Sequence, residues 1–129
     1  MGKTIAIVNQ KGGVGKTTSC VNLSAALTAQ GARVLVCDFD PQGNATSGFG
    51  LDKTRSPSVY DVILGNAPMS RAIVPTKWAD VAPANKALSG ATVELIGLDR
   101  REFRLRDALE EVKDQYDFVF IDCPPPWSC

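Results

Sequence analysis

A glycine-rich run, Asn9-Gln10-Lys11-Gly12-Gly13-Val14-Gly15-Lys16-Thr17-Thr18, joins an apolar segment to one of helical composition. Gly12, Gly13 and Gly15 let the backbone curl without Cβ clashes, so successive N–H groups can point inward at an anion. The first N–H groups of the helix that follows have no internal partner and face the same anion. Lys16 can reach β- and γ-phosphates, and the Thr17 hydroxyl can join the shell of a Mg²⁺ ion. The usual spacing G-x-x-x-x-G-K-[ST] would place glycine at position 10; here Gln10 stands there and a second lysine, Lys11, precedes the first glycine. Asp38, Asp40 and Asp122 sit where apolar runs end. Asp38 and Asp40 face the same way on an extended segment, so one can contact the Mg²⁺ shell while the other orients or deprotonates an attacking water. Asp122 suits the metal, directly or through a water. The plainer roles are a strand-end cap for Asp122 and an Asp-Pro turn for Asp40-Pro41-Gln42-Gly43; the turn and a catalytic role are compatible.

These residues need a frame that brings them to one edge. Lys3 to Asn9 reads as a strand apolar enough to be covered on both faces. The helix after the loop carries no charge from Thr17 to Ala32, as expected of a helix buried on more than one side, and Gly31 is its expected stop. Val34 to Cys37 is a second buried strand, making a βαβ unit. Phe39 to Pro57 reads as a loop with at most a short helical turn. Ser58 caps a short helix through Leu64, ended by Gly65-Asn66. Pro68, Pro75 and Pro83 break up the next stretch, with a brief strand at Asp80-Val81-Ala82. Leu88 to Leu98 has weak helical periodicity. Asp99 caps a helix that buries Leu105, Ala108, Leu109 and Val112 and carries Glu102–Arg106 and Arg106–Glu110 pairs on its wet side. Interleaved acids make its arginines a solvated face rather than a nucleic-acid patch. Phe118 to Ile121 is the last strand, expected to lie between the strands at Lys3 and Val34 so that Asp122 approaches both Thr17 and Asp38.

The length of 129 residues suits a single domain spanning 1–129. A net charge of +0 argues neither for nor against nucleic acid as a partner. No apolar run nears membrane-spanning length and no signal-peptide pattern opens the chain, so a cytoplasmic protein without a membrane role is expected. Cys20, Cys37, Cys123 and Cys129 have no metal-type spacing and there is no histidine; they read as reduced structural thiols.

Lys11-Gly12-Gly13-Val14-Gly15-Lys16-Thr17-Thr18 resembles the deviant Walker A box of the ParA/MinD ATPase superfamily. Asp38-Phe39-Asp40-Pro41-Gln42-Gly43-Asn44-Ala45-Thr46 is similar to the switch-I segment of its chromosome- and plasmid-partition branch, the ParA/Soj type. Asp122-Cys123-Pro124-Pro125 is similar to that branch's Walker B and switch-II start. The resemblance implies an α/β, three-layer P-loop NTPase fold with a mostly parallel sheet. It implies an ATPase that binds ATP and Mg²⁺, dimerises on ATP, associates with nonspecific DNA over the nucleoid and is stimulated by a ParB-type partner. On that pattern residues 11–18 hold the nucleotide and Lys11 reaches across the dimer to the partner's phosphates. Asp40 positions the water, while Thr17, Asp38 and Asp122 form the magnesium environment. Family members run to roughly double this length, and their second half carries the adenine pocket, much of the dimer interface and the DNA-binding residues. The chain is therefore expected to be the N-terminal portion, ending just past the Walker B strand. The alternatives are a non-catalytic nucleotide-binding fragment, a MinD-like protein, or another enzyme on the same loop: a nitrogenase-iron-protein-like reductase or an amide-forming synthetase. The reductase needs cysteines to hold an iron–sulfur cluster, and a partner ligand for Cys123 is not evident.

Overall fold

The computed structural model describes residues 4–9, 14–40, 42–86 and 98–123. Lys11, Gly12 and Gly13, the periodic stretch at 88–97 and the proline run at 124–126 fall outside them. The elements in order are β1 (Thr4–Asn9), α1 (Val14–Ala29), β2 (Val34–Asp38), α2 (Asn44–Gly48), α3 (Val59–Ile63), α4 (Met69–Ala72), β3 (Val74–Pro75), β4 (Asp80–Ala82), α5 (Leu98–Glu110) and β5 (Phe118–Cys123). They form one five-stranded sheet in the order β1-β5-β2-β4-β3. β1, β5, β2 and β4 run parallel, and the two-residue β3 is antiparallel to β4. The last strand thus enters between the first two, as its apolar character and the position of Asp122 led one to expect.

Alternation along the strands divides the interior into two layers, because successive side chains leave opposite faces of a sheet. Leu35, Cys37, Val119 and Ile121 face a core shared with Val59, Tyr60 and Ile63 of α3, Met69 and Ala72 of α4, and Leu105, Ala108 and Leu109 of α5. Val34, Val36 and Phe120 face the other way, onto Cys20, Val21 and Leu27 of α1 and Ala45 of α2. The result is the expected three-layer α/β arrangement. The helix ends follow local chemistry. Ala32 N–H bonds back to the Leu27 carbonyl and Gly31 N–H to that of Thr28, with Gly31 at φ 92°, so the expected glycine closes α1 in a Schellman motif. At α3 the Ser58 hydroxyl accepts from Tyr60 N–H and the Asp61 carboxylate accepts from Ser58 N–H, a complete capping box.

Two expectations shift. α5 begins at Leu98, so Asp99 lies within its first turn rather than at the cap. Glu110 of α5 pairs with Lys113, at 2.9 Å, in the 3₁₀ turn that follows, where the periodicity had offered Arg106. The proline-broken stretch is also more regular than its composition suggests. Pro68 stands at the N-cap of α4, whose first N–H donates to Glu111, and Pro75 lies on the edge strand, where a missing donor costs nothing.

Two substitutions compare packing with capping. Leu35 is fully buried in β2, and Leu35→Ala is expected to cost about 2–5 kcal/mol. Ser58→Ala leaves the core intact and removes one acceptor at a helix start, an expected cost of about 1 kcal/mol. Chemical denaturation of both variants checks the order; a cap variant as damaging as the core variant would show that α3 anchors more than its own turn.

Candidate functional site at the carboxyl edge of the sheet

Parallel strands end on the same side, so the sheet itself gathers the candidate residues. The register pairs Val8 with Asp122 and Asp122 with Asp38, which sets the end of β5 between the ends of β1 and β2. Phe39 N–H donates to the Asp122 carbonyl at 2.9 Å and extends this ladder past β2. α1 starts at Val14, so Gly15, Lys16, Thr17 and Thr18 occupy its first turns, directly after the loop that leaves β1. A helix N-terminus presents unpaired N–H groups to whatever lies there. Cys20, three residues past Thr17, is buried against the sheet. Burial pushes its thiol up to about 11, with the negative charges of Asp122 and then Asp38 adding to the effect. A thiol so raised is a packed, inert group, as is that of Cys37, raised to about 12 by burial and then by Asp38.

All three strand-end aspartates are buried. Asp38 is fully enclosed and satisfied by a set of donors. Its Oδ2 accepts from Thr46 N–H at 2.8 Å and from the Thr46 hydroxyl at 2.6 Å, and its Oδ1 accepts from Asp40 N–H at 3.0 Å. Burial lifts its carboxyl to about 6, and these hydrogen bonds pull against that rise. Thr46 Oγ1 in turn accepts from Ala84 N–H at 2.9 Å, tying the loop after β2 to the end of β4. Asp40 uses Oδ1 to accept from Gln42 N–H, and its carbonyl accepts from Gly43 N–H at 2.8 Å. These bonds turn the chain at Asp40, Gln42 and Gly43, where a turn was foreseen from composition; Pro41 lies outside the described residues. From the opposite face of the sheet, Tyr60 of α3 donates to the Phe39 carbonyl at 3.1 Å and packs edge-on against the Phe39 ring. Burial, then the charges of Asp38, Asp40 and Asp122, raise the Tyr60 phenol, so it stays a donor. Gly43 sits at φ 66° as the N-cap of α2, and a Cβ there would lie 2.5 Å from Cδ of Lys53. The Lys53 ammonium crosses over it to the Gln42 carbonyl at 2.9 Å.

The structure therefore brings Asp38, Asp40, Asp122 and the backbone of residues 14–18 to one edge. Lys11, Gly12 and Gly13 lie outside the described residues. Sequence reasoning missed the parts played by Thr46 and Tyr60. Thr46 lay inside the switch-I resemblance without a role of its own, and Tyr60 read only as part of a capped helix. Three buried carboxylates, those of Asp38, Asp40 and Asp122, thus lie at this edge, and carboxylate oxygens are the donor type that hard divalent cations favour.

Comparison with known proteins agrees with this chemistry. The chain is 53% identical over 128 residues to the sporulation initiation inhibitor protein Soj of Bacillus subtilis, covering 97% of this chain and 51% of that one. It is 51% identical to the chromosome partitioning protein ParA of Caulobacter vibrioides, covering 95% of this chain and 48% of that one. A cobyrinic acid a,c-diamide synthase from Mycobacterium smegmatis, solved with an ATP analog and magnesium, superposes with a TM-score of 0.84 at 44% identity, covering 97% of this chain and 52% of that one. A plasmid partition protein from Borrelia burgdorferi superposes with a TM-score of 0.77 at 26% identity, covering 96% and 57%. The chain spans about half the length of the relatives it matches. A family model described as an AAA domain matches residues 2–129, and the chain belongs to that family, AAA_31, among relatives of the Soj and ParA type.

Proposed function

We propose that residues 1–129 form the nucleotide-binding and catalytic portion of a magnesium-dependent ATPase of the partition type, converting ATP and water to ADP and phosphate. The observation that carries this reading is the register Val8–Asp122–Asp38, which sets two buried carboxylates side by side at the end of the sheet where β1 also ends, with Gly15, Lys16 and Thr17 in the first turns of the helix that follows β1. In this reading residues 11–18 wrap the phosphates, and the Lys16 ammonium neutralises β- and γ-oxygens. Thr17 and Asp122 would hold the cation, with Asp38 in its environment; their oxygen-only chemistry suits Mg²⁺. Bound there, the ion would neutralise charge on the phosphates during transfer. Asp40 orients the attacking water towards the γ-phosphorus. Lys11 serves the site of a second copy, where its charge stabilises the transferring phosphoryl group. ATP-dependent dimerisation, nonspecific DNA and a ParB-type partner belong to this proposal for the whole protein, as does a cytoplasmic, nucleoid-associated location. Among the described residues no helix is long and apolar enough to cross a membrane. Support comes from the partition-type names of the sequence relatives and from the nucleotide and magnesium in a solved neighbour.

The likeness to a diamide synthase favours one second reading, an amide-forming synthetase on the same loop. The two differ in what drives ATP consumption. A partition ATPase responds to DNA and a protein activator, whereas a synthetase consumes ATP only with a carboxylic acid and an amide-nitrogen donor.

The two lysines test the principal reading, in this chain and in one joined to the second half of a relative. Lys16→Ala removes a charge-assisted contact worth about 1.5–3 kcal/mol, so nucleotide affinity should fall roughly tenfold to a hundredfold. Lys11→Ala should leave monomer affinity nearly intact while abolishing hydrolysis and ATP-dependent dimerisation. Affinity and turnover measured side by side decide it; a Lys11→Ala variant that loses affinity as severely as Lys16→Ala places Lys11 in its own site and rejects the dimer mechanism.

A further inference from the structure

Asp40 can orient a water only if its own backbone is held still, and the bonds that hold it pass through a residue with no assigned part in the reaction. The chain of donors begins at Ala84 N–H, two residues past the end of β4, which donates to Thr46 Oγ1. The Thr46 hydroxyl donates to Asp38 Oδ2, and Thr46 N–H donates to the same oxygen. Asp38 Oδ1 then accepts from Asp40 N–H. Thr46 and Asp38 are fully buried, so water cannot replace a lost partner without opening the loop. The threonine hydroxyl both donates and accepts, so its removal strands Ala84 N–H and takes one donor from a buried carboxylate. Asp38 is thereby committed to the loop through both its oxygens.

We infer that Thr46 is a positioning residue for Asp40: its hydroxyl, acting through Asp38, clasps the segment 38–46 to the end of β4 and holds the water-orienting carboxylate in place. The inference rests on the ATPase reading above for its catalytic consequence. Tyr60 supports the same segment at the Phe39 carbonyl, but from the other face and without touching Asp38 through any hydrogen bond of the clasp. Thr46→Val keeps the branched shape and deletes the hydroxyl, whereas Thr46→Ser keeps the hydroxyl and deletes a methyl group.

The test uses this chain joined to the second half of a relative, and three measurements: phosphate release, nucleotide affinity, and amide hydrogen exchange at Asp40 and Ala84. In Thr46→Val, turnover should fall about tenfold with nucleotide affinity within about twofold of the parent. The amides of Asp40 and Ala84 should lose protection together. Thr46→Ser should restore both turnover and protection. Parent-like turnover in Thr46→Val overturns the inference, as does continued protection of the Asp40 amide. A loss of affinity in step with turnover also overturns it, since the hydroxyl would then serve binding or folding at large. Should Thr46→Val unfold the chain, the same measurements on Thr46→Ala decide the matter. A parent chain that binds nucleotide but releases no phosphate refutes the ATPase reading and the positioning role with it, while the exchange data still report separately whether the clasp exists.

Discussion

An ionisable carboxylate with no solvent exposure is costly unless donors surround it, and Asp38 shows how this fold meets that requirement. The donors are the backbone and hydroxyl of Thr46 and the N–H of Asp40, so the group that ends β2 also dictates the path of the chain beyond it. The loop from 39 to 46 could not be rebuilt freely around a different end to β2. Its turn at Asp40, its left-handed Gly43 and the start of α2 all follow from the need to return Thr46 to Asp38. Lys53 and Tyr60 then brace this path from outside and from beneath.

The same economy explains the sheet. β2 and β5 are apolar on both faces because helices cover both, and charge appears only towards the end of each. Parallel pairing turns that local rule into a site, since all such ends lie on one edge. Asp122 gains its position from β5 being flanked on both sides, by β1 and by β2, rather than from any feature of its own neighbourhood.

The frame was legible in the sequence because its signals are local. Continuous apolar runs gave β1, β2 and β5, Asp80-Val81-Ala82 gave β4 residue for residue, and Ser58, Gly31 and Gly65-Asn66 marked helix ends through short-range hydrogen bonds. The strand-end aspartates could be placed because the apolar runs stop there. What could not be read is long-range. Nothing near Thr46 announces Ala84, thirty-eight positions on, and nothing near Tyr60 announces Phe39. The pairing of Glu110 with Lys113 was missed for a different reason: the 3₁₀ turn after α5 brings a residue three positions on within reach, where a regular helix would have favoured the neighbour a turn back.

The strand order has a consequence for how the molecule assembles. β1 and β2 are joined by a single helix and run side by side in direction, yet they never touch as neighbours, because β5 separates them. Until residues 118–123 have been synthesised, the slot between the two earliest strands lacks the strand that fills it. Closing that slot brings together segments more than eighty residues distant in the chain, an entropic cost met late and all at once. On the ribosome, then, the edge that carries Asp38 and Asp122 would be the last part of these 129 residues to exist. A folding intermediate lacking β5 would expose two apolar strand edges facing one another across a gap, the kind of surface that chaperones recognise.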